Sequence, residues 1–157
     1  MTTAASATSL AVDHLCDFDV ALAAPQMLTS PLGVRLISII EGGTVEGPRL
    51  RGTFLPGGGD WMLAGTDRVG RLDVRATIRT HDDALVHLTV AGRFRLDDEA
   101  MSRLYAGETV REAEMYGRTT PLFDTGAEAY AWLNSTVTVA FNEVSLSRVR
   151  YRVYALR

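Results

Sequence analysis

The sequence predicts an all-β protein, a single antiparallel β-barrel with one short helix. Three observations carry this. Apolar and polar residues alternate with a period of two through most of the chain, and clusters of Gly, Pro, Asp and Ser separate the alternating runs. A single stretch, Asp97 to Gly107, switches to helical spacing. Many short strands at regular spacing close into a barrel or stack as a sandwich.

Taken in order, the first residues are small and hydroxyl-rich, and 1–12 read as a disordered or extended tail before one domain at 13–157. Strands are expected near 15–22, 34–41, 44–55 and 61–65. The third ends at Pro56, followed by Gly57-Gly58-Gly59. A further strand at 71–80 sets Leu72, Val74, Ala76 and Ile78 against Asp73, Arg75, Thr77 and Arg79. A turn at Asp82-Asp83 leads to a strand at 84–94, placing Thr80 opposite Leu85 and Thr77 opposite Leu88. In that register Arg75 shares a face with Leu88 and Val90, a mixture suited to a ligand-holding lumen. The alternative puts Arg75 and Arg79 in solvent and the all-apolar face inside.

Asp97 or Asp98 suits a helix N-cap and Gly107 a stop, so a helix is expected near 97–107. Residues 108–125 read as a long loop and 126–133 as a second short helix or an irregular segment. Strands near 136–142 and 147–155 complete the chain, the last alternating Val149, Tyr151 and Val153 with Arg150, Arg152 and Tyr154.

Composition narrows the chemistry. All sixteen basic residues are Arg. Without Lys there is no Schiff-base chemistry, pyridoxal phosphate attachment or phosphate-loop lysine. A net charge of −3 disfavours nucleic acid, which needs a basic face. The single cysteine, Cys16, allows no intrachain disulfide and fits a cytoplasmic address. It is flanked by Asp17, which disfavours a reactive thiolate. No segment is long and apolar enough for a membrane helix. His14, His81 and His87 lack metal-ligand spacing, no serine sits in a nucleophile elbow, and no glycine run matches a dinucleotide fingerprint. No cofactor and no metal are expected.

Leu55-Pro56-Gly57-Gly58-Gly59-Asp60-Trp61, Asp73-x-Arg75, Arg118-Thr119-x-Pro121 and Tyr130-x-Trp132-Leu133-Asn134 resemble the motifs of domain-of-unknown-function family 3237. The chain departs from that pattern at Asp82-Asp83, where the family often has Asp-Gly. It departs again at Gly117, where the family tends to carry an aromatic before the Arg; Tyr116 stands one place earlier. The resemblance implies a small antiparallel barrel, similar in outline to allene oxide cyclase-like barrels. It also turns Arg75 toward the lumen.

On that basis Asp60, Arg75 and Arg118 are the candidate catalytic residues. Asp60 would act as acid or base, and the guanidinium groups would stabilise a carboxylate or enolate. Trp61, Asp73, Tyr116, Tyr130, Trp132 and Asn134 are the candidate substrate-binding residues. The expected function is a cofactor-free isomerase or cyclase for a small carbonyl-bearing or phenolic molecule. A non-catalytic small-molecule-binding barrel is the alternative. A homodimer is expected, with Leu72, Val74, Ala76 and Ile78 as the covered outer surface.

Overall fold

A computed structural model describes residues 9–157. Ten antiparallel strand segments run in chain order: β1 (Val12–Leu22), β2 (Gln26–Ser30), β3 (Gly33–Glu46), β4 (Gly52–Phe54), β5 (Gly59–Gly65), β6 (Gly70–Thr80), β7 (Leu85–Arg95), β8 (Tyr116–Asp124), β9 (Thr138–Val144) and β10 (Arg148–Leu156). β4 and β5 are two pieces of one strand position, since both pair with β3 on one side and β6 on the other. β2 continues β1 along β3 after a break at 23–25. Pairing of β1 with β3 closes the ring, giving an eight-stranded antiparallel barrel. Closure through β1 and β3 removes most of the free edge of the sheet and leaves one side of β2 unpaired.

The alternation is answered directly. Phe18, Val20, Ile40, Val74, Ala76, Ile78, Val86, Leu88, Val90, Tyr151 and Val153 form one buried cluster, while their odd or even neighbours face water. Phe18 anchors it, with its ring 5.2 Å from Phe54, 6.3 Å from Phe123 and 5.7 Å from Tyr151. Tilted and edge-to-face rings at such spacings add to the stabilisation from burial alone.

Helix α1 (Asp98–Tyr105) forms where the spacing predicts it, and the Asp97 side chain accepts from the Ala100 N–H at 2.8 Å as its N-cap. Its Ala100 packs with Leu96 and Val110 in a small second cluster beside Phe94, Leu104 and Met115. A 3-10 helix at Glu128–Ser135 fills the position of the second expected helix.

Several expectations are corrected. The stretch 108–125 is not a loop throughout: β8 occupies Tyr116–Asp124, despite Gly117 and Pro121. Proline is accommodated because the ladder from β8 to β9 runs only through Arg118 and Thr119, and Thr138 donates its hydroxyl to the Pro121 carbonyl. The expected strand at 44–55 is broken at 47–51. The expected tail at 1–12 falls mostly on residues 1–8, outside the described residues. At its end Val12 already pairs with Leu156, and Ala11 accepts from the Arg157 N–H.

The most consequential difference is one residue of register. Arg79, not Thr80, lies opposite Leu85, and Ala76, not Thr77, lies opposite Leu88. Thr80 ends β6 at the turn, its N–H bonded to the Ala84 carbonyl, with Asp83 left-handed at φ 67°. A one-residue slip sends every side chain to the other face. Leu72, Val74, Ala76 and Ile78 therefore point inward, and Asp73, Arg75 and Arg79 point outward. The surface expected to be covered in a dimer is part of the core.

Candidate active site

The lumen holds a mainly apolar cavity of about 170 Å³, with Leu104 of α1 in its lining. Leu36, Met62, Leu72, Val74, Leu88, Val90, Phe94, Leu104, Met115 and Leu146 are among the apolar residues of its wall. Its polar lining is sparse: Ser38, Asp60, Asn142, Ser145 and Tyr151. A lining of this kind has the character of sites that hold apolar molecules and orient them through a few polar contacts.

Asp60 reaches the lumen because of the glycine run before it. Gly57 takes a left-handed φ of 102°, closed to most side chains. A Cβ on Gly58 would stand 2.5 Å from the Arg75 carbonyl oxygen, so only glycine lets this turn lie against β6. β5 then starts in a phase that turns Asp60 inward and Trp61 outward, Asp60 lying opposite Ser38 on β3 and Val74 on β6.

The ladder between β5 and β6 is open beside it. Pairing runs through Asp60↔Val74 and resumes at Leu63↔Arg71. In the gap, the Asp73 backbone N–H donates to Asp60 Oδ1 at 3.0 Å, and Arg35 Nη1 donates to the Trp61 carbonyl at 2.8 Å. Burial pushes the Asp60 carboxyl up to about 6 from 3.8; the Asp73 N–H works against this and the Asp73 charge adds to it. Across the lumen, burial and the Asp60 charge push the Tyr151 phenol upward. Asp60 is the only carboxyl group lining the cavity among the described residues.

The candidates do not converge. Asp60 alone lines the lumen. Trp61 and Arg75 share a hollow on the outer wall with Pro56 and His87, and Arg75 pairs with exposed Asp73 at 3.1 Å. Arg118 also lies outside, its guanidinium 4.4 Å from the Phe141 ring and 5.3 Å from Tyr116. Tyr130 donates to Asp82 at 2.7 Å, tying the 3-10 helix to the β6–β7 turn. Trp132 stacks on Arg49 at 3.7 Å, and Asn134 bonds the backbone of Thr125. Tyr130, Trp132 and Asn134 thus make contacts off the lumen lining.

A larger open hollow of about 770 Å³ lies beside β1, β9 and β10. Several of its charges are already paired, Arg150 with Asp19 and Glu143, and Arg152 with Asp17. Exposed pairs of this kind make a solvated surface. No group of three potential metal ligands occurs among the described residues. Cys16 is buried, and its thiol is raised well above its ordinary value, mainly by burial.

Ser38, Asn142 and Tyr151 are lining residues that the sequence reading did not single out. Tyr151 was legible in the alternation of β10, as the one phenol in an apolar phase. Asn142 was not, because Val137 and Val139 draw the eye to the phase that lies off the core; Thr138, Ala140 and Asn142 are the buried ones.

A sequence profile of the family described as "Protein of unknown function (DUF3237)" matches residues 10–156. The chain belongs to this family. A UPF0311 protein from Rhodopseudomonas palustris (strain TIE-1) is 36% identical to this DUF3237 chain over 101 residues, 64% of the chain and 66% of the relative. The match thus spans just under two thirds of that relative's length. The crystal structure of a conserved protein of unknown function from R. palustris superposes with a TM-score of 0.90 at 26% identity, over 96% of this DUF3237 chain and all of the other. The crystal structure of an enzyme from Penicillium herquei shares the fold, with a TM-score of 0.72 at 18% identity, over 99% of this chain and all of the other.

Proposed function

We propose that this DUF3237 protein is a cofactor-free isomerase or cyclase for a small, mainly apolar molecule bearing a carbonyl or phenol group. The observation that carries the reading is Asp60: one carboxyl group, raised to about 6, in a mainly apolar lumen. A group with a pKa near the working pH is effective both at taking and at returning a proton.

In the proposed isomerisation, the Asp60 carboxylate removes a proton from the carbon beside the ligand carbonyl. The C–H electron pair becomes the enolate double bond, and the carbonyl π pair moves onto oxygen. Asp60 then returns the same proton to a different carbon, and the carbonyl reforms. In a cyclisation, the enolate or phenolate instead closes on an electron-poor carbon of the same molecule, and Asp60 protonates the carbanion so formed. Neither route needs an added oxidant or reductant. Arg75 and Arg118, on the outer wall, take no direct part.

The test is proton exchange. Aryl ketones and cyclic enones are incubated with the protein in D2O, and α-deuteration is followed by mass spectrometry. Exchange above background that Asp60→Asn abolishes supports the reading. Saturable binding with no exchange across the panel favours a carrier, the reading that the apolar lining supports.

We also propose a homodimer. β2 pairs only with β3 among the described residues and exposes Met27 and Leu28, so its free edge is the candidate contact. Light scattering that shows monomer across a wide concentration range overturns it. No helix among the described residues is long and apolar enough to cross a membrane.

A further inference from the structure

Asn142 lies directly opposite Tyr151 in the pairing of β9 with β10, and both side chains line the lumen. Asn142 is 4% exposed and Tyr151 6%. The Asn142 carboxamide is held at one end only. Thr119 Oγ1 stands 3.4 Å from its Oδ1, and Nδ2 is buried with no hydrogen-bond partner. A buried amide donor left unpaired is unfavourable by itself, so its persistence calls for an explanation. Phe18, the neighbour of Tyr151 on β1, packs its ring 5.7 Å away and fixes the phenol in place.

We propose that Asn142 Nδ2 and the Tyr151 hydroxyl form a two-donor site for a single ligand oxygen, which makes the ligand class neutral, mainly apolar carbonyl compounds and phenols. The assignment rests on the reading of the lumen as a site for such molecules. Two donors fixed in an apolar wall bind an oxygen more strongly as it gains negative charge, as in an enolate or phenolate. They discriminate against ligands that lack the oxygen, because those leave the donors unpaired. Permanently ionised carboxylates are disfavoured. No cationic side chain lines the cavity to offset their burial, and Asp60 adds like charge. Asn142 and Tyr151 are neighbours on adjacent strands, so the orientation of the oxygen is set by the barrel wall and not by a loop.

The experiment compares 2-naphthol with naphthalene, which has the same ring system without the oxygen. Affinities for the native protein, Asn142→Leu and Tyr151→Phe are measured by equilibrium dialysis. The native protein is expected to prefer 2-naphthol, and each substitution should cut that preference by roughly three- to tenfold, the effect of one hydrogen bond, with naphthalene binding retained. Asn142→Leu should also melt at a higher temperature than the native protein, since it removes an unpaired buried donor while keeping the shape. Asn142→Ala serves for the affinity ratio if the leucine variant does not fold. If both compounds bind and the preference ignores the substitutions, the two-donor site is wrong while the lumen reading stands. If neither binds the native protein, the lumen reading falls and this assignment with it. A lower melting temperature for a folded Asn142→Leu means that the amide is satisfied in the native protein, which also overturns the assignment.

Discussion

The backbone N–H of Asp73 donates to Asp60 Oδ1 at 3.0 Å, in the gap where β5 and β6 exchange no ladder pairs between Asp60↔Val74 and Leu63↔Arg71. The lumen carboxylate is therefore part of the wall, standing in for a ladder acceptor. Its proton affinity and the integrity of the wall are linked.

That link gives a pH signature. Asp60 has a folded-state pKa of about 6 against an ordinary 3.8, so the folded chain binds its proton more tightly than the unfolded chain. The contribution to stability is favourable at low pH and is lost as pH rises from about 4 to about 6. Asp67, by contrast, is held low, mainly by Arg71, and stabilises in the opposite direction. Comparison with Asp60→Asn isolates the lumen group. The variant should gain on the order of 2 kcal/mol over the native protein at pH 8 and little at pH 4. Urea denaturation across this range measures it; an equal difference at both pH values removes the raised pKa.

Activity should follow the ionised form. α-Proton exchange catalysed by the native protein is expected to rise with pH through about 6 and then level. Asp60→Asn keeps the acceptor oxygen for Asp73 N–H but not the base, so exchange should fall roughly a hundred- to ten-thousand-fold while affinity changes little. A rate that stays flat from pH 4 to 8 excludes Asp60 as the base.

Arg75→Ala should leave lumen binding unchanged. It removes an exposed pair with Asp73, worth about 0–1 kcal/mol. Arg118→Ala should behave likewise toward the lumen, since that guanidinium rests on Phe141 and Tyr116 outside. Trp61 and Trp132 also lie off the lumen lining, so a lumen ligand should change indole emission little. A tenfold loss of ligand affinity in either arginine variant would reverse the inside-outside assignment.

Gly58→Ala should destabilise by about 1–3 kcal/mol through overpacking, since its Cβ would meet the Arg75 carbonyl at 2.5 Å. Phe18→Ala should lose about 3–5 kcal/mol, because Phe18 is 2% exposed and fixes three other rings. Thermal melts rank the two. A neutral Gly58→Ala would show that the turn relaxes away from β6.

The barrel, the helix after β7 and the Asp60 turn were legible because period-two patterning, an Asp N-cap and a glycine run are local signals. β8 was hidden because Gly117 and Pro121 are poor strand formers taken alone, and only the barrel context overrides them. The inside-outside choice for Arg75 turned on the register of β7 against β6 across the Asp82-Asp83 turn. Residue types at Thr80–Ala84 do not decide that; the contacts of Thr80 with Asp82 and Ala84 do. Asn142 shows the same limit: its significance comes from the missing partner of one atom, which no sequence pattern records.

The carboxylate that completes the wall also constrains what evolution can do with this barrel. Asp60 cannot simply give way to an aliphatic residue, because the Asp73 N–H would lose its acceptor. The accessible exits are side chains that still offer an oxygen, Asn foremost. Under the proposed reading, a carrier and a proton-transfer enzyme built on this scaffold would differ by as little as one amide for one acid.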